Sequence, residues 1–203
     1  LDSGFSMGRI LGPALAGILL LISYTAPFYL FAMGALFVIV LITKQKSPPL
    51  PKTKDELIKI SLFDNRVWPF LIVSASFGVC NAALVQTSSF YFQDVIDPGS
   101  TNFIALASVG FMLSALGILN GQLLIADRLQ TSPGSLIRLG ILFIFFSLIG
   151  VANSTSLVHI YISLFFYGLG GGMLGPGISA SLSLSVGKEN QGSASGFLGM
   201  VIP

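Results

Sequence analysis

The chain has 203 residues, of which 53% are hydrophobic and only 9% charged, with a net charge of +2 at pH 7. Soluble domains carry about 25% charged residues, so this composition cannot build a water-facing surface, and so small a net charge excludes a nucleic-acid binder. One cysteine, Cys80, excludes an internal disulfide and a cysteine zinc cluster, and one histidine, His159, argues against a histidine metal site. An integral membrane protein is expected, with the lipid bilayer as partner and with no metal or other cofactor.

The chain opens Leu1-Asp2-Ser3-Gly4, with neither a starting Met nor a basic stretch, so it reads as part of a longer polypeptide rather than as a signal peptide. Residues 10–43 carry no charge. As one helix these 34 residues would measure about 51 Å against a hydrocarbon core of about 30 Å, so the run must turn. Ser23-Tyr24-Thr25-Ala26-Pro27 is the place, because proline cannot donate within a helix and disfavours helical geometry in its predecessor. One helix then ends near Ile22 and a second covers 27–42. A proline-broken, basic linker follows at 44–66. Its part from Lys52 to Phe63 mixes lysines with Leu57 and Ile60, and reads equally as a helix along the inner interface or as a solvated linker. Further spans are expected at 67–92, 102–126, 135–151 and 157–184, and 192–203 begins another. The expected fold is all-α: five complete transmembrane helices flanked by two truncated ones.

Charge tests this division. Taken alternately, the loops at 44–66, 127–134 and 185–190 hold Lys44, Lys46, Lys52, Lys54, Lys59, Arg66, Arg128 and Lys188, with Arg138 just inside the next helix, and the opposite loops hold no Lys or Arg. The positive-inside rule makes the basic side cytoplasmic, and Trp68 then sits as an aromatic anchor at the inner interface.

Polar residues inside apolar helices are the candidates for function, since they are costly against acyl chains. Asn81, Gln86, Thr87, Ser88 and Ser89 lie in the third span, followed by Tyr91 and Gln93. Asn81, Gln86 and Tyr91 are candidates for a substrate path, or alternatively for interhelical hydrogen bonds. Asn120 and Gln122 in the fourth span, and Tyr161 and Tyr167 in the sixth, are weaker candidates. Arg9, a basic residue in the first helix, either meets an anionic substrate or coupling carboxylate, or snorkels or pairs structurally; the structural role is preferred. Residues 168–177 contain a literal G-x-G-x-x-G, but they lie between apolar helical stretches, so close packing or a bend is expected rather than a nucleotide site. No nucleophile, base and orienting acid converge, so no enzyme activity is expected.

The first helix reads Gly4-Phe5-Ser6-Met7-Gly8-Arg9-Ile10-Leu11-Gly12-Pro13-Ala14-Leu15-Ala16-Gly17. Gly4, Gly8 and Gly12 share one face on which another backbone can approach, and Pro13 favours a bend. The string resembles the signature G-x-x-x-G-P-x-x-G-G of the fifth helix in major facilitator superfamily antiporters, with Ala16 in place of the first glycine of the final pair. Leu123-Leu124-Ile125-Ala126-Asp127-Arg128 is similar to the family's short cytoplasmic loop motif G-x-L-x-D-R-x-G-R-R/K, which lies between the second and third helices and is repeated in weaker form between the eighth and ninth, where this stretch stands. Asp127 and Arg128 match that motif, while Leu123 and Gln130 replace its glycines and the later basic pair is missing. The resemblance extends over essentially the whole chain. It implies that residues 1–43 are helices five and six closing the first half, 44–66 the cytoplasmic linker, and 67–203 helices seven to the start of eleven. It also implies a transporter of the drug:proton antiporter branch, exporting a small molecule against protons by alternating access. Its partners would be the missing helices of the same polypeptide, and its place the plasma membrane or a bacterial inner membrane. The readings to be separated from this are uptake or export of a sugar, amino acid or other metabolite, and a non-transporting scaffold or receptor.

Overall fold

The computed structural model describes residues 15, 19, 23, 25–43, 61–96, 103–126, 132–187 and 190–201. The glycine-proline motif at Gly4, Gly8, Arg9, Gly12, Pro13 and Gly17, the loop pair Asp127 and Arg128, and residues 44–60 of the linker lie outside them. Within the described residues the elements are α1 (Ala26–Thr43), α2 (Trp68–Tyr91) running into a π-helical turn (Phe92–Ile96), and α3 (Phe103–Asn120) running into a second π-helical turn (Gly121–Ala126). They continue with α4 (Pro133–Ala152), α5 (Leu157–Ser185) and α6 (Gln191–Val201).

Helix starts follow local chemistry. Pro27 and Pro69 sit in first turns, where the missing N–H costs nothing. Asp64 lies in the turn before α2, and its carbonyl accepts from the Val67 and Trp68 amides at 2.8 and 3.0 Å. Ser132 caps α4, its hydroxyl accepting from the Ser135 amide, and Pro133 follows it, so α4 begins two residues earlier than the hydropathy alone suggests. Ser156 caps α5 in the same way through the His159 amide. Residues 61–67 form turns before α2, so the inner-interface helix considered for Lys52 to Phe63 does not extend into its described end.

Among the described residues, four helical segments are long and apolar enough to cross a membrane: Trp68–Ile96, Phe103–Leu123, Pro133–Ala152 and Leu157–Ser185. The apolar part of α1, Ala26–Leu41, measures about 24 Å at 1.5 Å per residue. Every described side chain of α1 from Phe28 to Leu41 is exposed.

The fold is organised around α5. Of its span 56% is buried, against 17–22% in α2, α3 and α4, so the others wrap it. Its glycines make this possible, between them facing α2, α3 and α4. A Cβ on Gly168 would stand 1.8 Å from the Ser114 carbonyl oxygen of α3, and one on Gly172 would stand 2.3 Å from that of Ile118. On the facing helix, a Cβ at Gly117 would fall 2.1 Å from the Phe165 carbonyl oxygen. Gly170 meets Gly140 and Ile144 of α4, Gly177 meets Ile137, and Gly171 approaches the Phe77 ring of α2. The glycine-rich run is therefore a close-packing hub within one continuous helix. It forms no loop and no helix N-terminus, so it lacks what a dinucleotide fingerprint requires.

Hydrogen bonds tie the two ends of this group. Toward the Tyr91 end, the Tyr91 hydroxyl donates to the Ser154 carbonyl at 2.8 Å, and the Tyr161 hydroxyl to that of Leu106 at 3.1 Å. Phe92, fully buried, packs its ring 6.0 Å from that of Tyr161. Toward the Trp68 end, Ser185 Oγ donates to the Arg66 carbonyl at 3.1 Å and Gln191 Nε2 to that of Ser183 at 3.4 Å, joining the starts of α2 and α6 to the end of α5.

Candidate functional site

Between α2, α3 and α5, beside the glycine contacts, lies a cavity of about 320 Å³ lined by Asn81, Leu84, Val85, Phe111, Ser114, Ala115, Ile118 and Tyr167. Its position follows from helix periodicity. Leu71, Ser74, Gly78, Leu84 and Ser88 are the buried residues of α2, and Asn81, three residues from both Gly78 and Leu84, falls on the same stripe in the middle of the helix. On α3 the close-contact face of Gly110, Ser114 and Gly117 draws the backbone against α5 and leaves Phe111, Ala115 and Ile118 beside the cavity. From α5 the ring of Tyr167 closes one wall, stacked on Phe77 at 6.0 Å and 25°.

The polar groups differ in how they are satisfied. Several serines and threonines of these helices bond back to their own helix: Thr87 Oγ1 donates to the Ala83 carbonyl at 2.8 Å, Ser108 Oγ to that of Ile104 at 2.8 Å, and Ser88 Oγ to that of Leu84. Ser147 Oγ crosses from α4 to the Ser163 carbonyl at 2.6 Å. By contrast, among the described residues neither the Asn81 carboxamide nor the Ser114 hydroxyl makes a hydrogen bond. An amide left without a partner at membrane depth is costly unless water or a ligand completes it, so the cavity presents two polar groups ready for a guest.

The residues singled out in the sequence separate accordingly. Asn81 and Tyr167 line the cavity. Gln86, five residues beyond Asn81 and so roughly 140° around the helix, is exposed. Tyr91 and Tyr161 are tethers between elements. Asn120 donates to the Leu116 carbonyl of its own helix at 2.8 Å, next to the start of the second π-helical turn. His159 is exposed at the start of α5. Phe111, Ser114 and Phe77 are additional site residues whose signal was available only in part: Ser114 continues the small-residue spacing of Gly110 and Gly117.

The described lining of the cavity is uncharged. The charged residues among those described are Asp64, Arg66, Asp94 and Arg138, and none of them lines it. Asp64 and Arg66 form a fork at the start of α2, with Nε to Oδ1 at 3.2 Å and Nη2 to Oδ2 at 3.0 Å. The side-chain hydrogen bonds from Arg66, aided by its backbone amide, hold the Asp64 carboxyl below the usual range. No group of three or more metal-ligating side chains occurs among the described residues.

Compared with known protein families, the chain matches the model described as Major Facilitator Superfamily over residues 1–202. No curated protein and no solved structure matches it.

Proposed function

The chain belongs to the major facilitator superfamily, whose members are membrane transporters, and on that premise we propose that it forms part of a proton-coupled exporter of small molecules. In this reading residues 1–43 close the first half of the transporter, 44–66 are the cytoplasmic linker, and 67–203 belong to the second half. Two halves of six helices rocking about a midplane site would expose that site to each side in turn. The observation that carries the reading is the cavity among α2, α3 and α5, where the Asn81 carboxamide stands without a partner halfway along an apolar helix. A structural asparagine would bond to its own or a neighbouring helix, as Asn120 does. The direction and the proton coupling are supported by the glycine-proline sequence at Gly4 to Gly17, which resembles that of the fifth helix in antiporters, and the basic loops support a cytoplasmic 44–66.

The test is transport by the full-length protein in proteoliposomes under an imposed pH gradient. The proposal predicts substrate movement opposite to the proton gradient, abolished by a protonophore, and reduced roughly tenfold by Asn81→Leu, the loss expected for one hydrogen bond in a water-poor site. Accumulation of a sugar or amino acid without drug efflux would overturn the export reading, and absence of any gradient-driven movement in a well-folded preparation would favour a scaffold or receptor.

A further inference from the structure

We infer that the part of the cargo seated among α2, α3 and α5 is an uncharged, planar aromatic group of about two fused rings, carrying one edge that hydrogen-bonds a carboxamide. The inference rests on the reading of this cavity as the substrate site. Size comes first. An enclosed apolar cavity of about 150 Å³ takes one benzene ring, and this pocket, open on one side, has about 320 Å³, room for up to about two. Shape and surface agree: Phe111 and Tyr167 offer aromatic walls, and Phe77 stacked behind Tyr167 fixes that ring's orientation, so a flat guest gains ring-to-ring contact without first ordering the wall.

Charge and polarity exclude the main competitors. No charged side chain among the described residues lines the cavity, so an ion entering it would lose hydration without a counter-ion from that lining. A sugar would bury several hydroxyls where the described lining offers two unpartnered polar groups, the Asn81 carboxamide and the Ser114 hydroxyl, leaving most of its polar groups unpaired. A carboxamide both donates and accepts, so Asn81 orients a guest bearing one complementary amide, hydroxyl or ring nitrogen. Any charge the cargo carries lies outside this cavity.

The test uses the full-length protein in lipid nanodiscs and three photoreactive diazirine probes: a naphthalene carboxamide, its trimethylammonium analogue and a diazirine-bearing glucoside. Labelled peptides are read by mass spectrometry. The expected result is labelling of the segments around Asn81 and Tyr167 by the carboxamide probe, competed away by excess unlabelled naphthalene carboxamide and roughly tenfold above the other two probes. Asn81→Leu should lower that labelling, and Asn81→Asp, which supplies an anion, should turn the preference toward the ammonium probe. Equal labelling by all three probes, preference of the wild type for the ammonium or glucoside, or labelling of the segments that cannot be competed would overturn the inference. Gradient-driven movement of a sugar or cation with the cavity unlabelled would sink the cargo class and leave the transporter reading intact. Competed labelling without gradient-driven movement would do the reverse.

Discussion

Asn81 and Gln86 show what a single residue can and cannot reveal. Both are polar, both interrupt the same apolar helix, and only the helical rotation between them separates a cavity wall from an exposed surface. That rotation is hard to read from a membrane helix, because a helix that is hydrophobic all round carries no polar face to mark its orientation. Hydrogen-bonding residues at the ends are more tractable. Tyr91→Phe removes the donor to the Ser154 carbonyl and should lower stability by about 0.6–1.5 kcal/mol without touching the cavity, as read by unfolding in detergent with wild-type substrate affinity retained. Asp64 gives a pH prediction. Its carboxyl is held low by Arg66, so the fork stabilises the turn above the ordinary carboxylate range and is lost as pH falls through the lowered value. A carboxyl titration of Asp64 should show a midpoint below that of an exposed aspartate, and Arg66→Gln should raise it; an unchanged midpoint in that variant would remove the fork as the cause.

Among the elements, α5 joins sequence to packing most directly. Its glycines could be read as a close-packed point, and they are: Gly168 and Gly172 admit α3, Gly170 and Gly177 admit α4, and Gly171 admits Phe77 of α2. What the linear order could not tell is which glycine serves which neighbour, because that assignment needs the rotation of each helix. A sharp contrast follows. Gly168→Ala drives a methyl into the Ser114 carbonyl and should destabilise by about 1–3 kcal/mol or more, whereas Gly175→Ala, with nothing within 4 Å, should be neutral or stabilising by up to about 1 kcal/mol. Equal effects of the two substitutions on the unfolding midpoint would contradict the packing described. The two π-helical turns were not legible at all. The second begins at Gly121, where a Cβ would stand 2.5 Å from the Leu169 carbonyl oxygen, so it belongs to the tertiary contact with α5 and not to local propensity.

Across the molecule, span positions were legible because prolines and short polar stretches mark the ends of apolar runs that cannot exceed the bilayer. Pro27, Pro69 and Pro133 each fall in a first turn. The cavity as a whole was not, since it is made by three helices distant in sequence and framed by residues such as Phe111 that look like any lipid-facing side chain. The basic loops give an orientation that can be tested. In a Cys80→Ser background, Phe63→Cys should react with an impermeant maleimide only from the cytoplasmic side and Thr155→Cys only from the other, both positions being exposed. The same background gives the most direct test of the central claim, that the cavity at Asn81 is the alternately exposed site of a transporter. Asn81→Cys should react with the impermeant reagent from each face of sealed vesicles in turn, one population of sites being modified from either side. Reaction from one face only, or from neither, would contradict it.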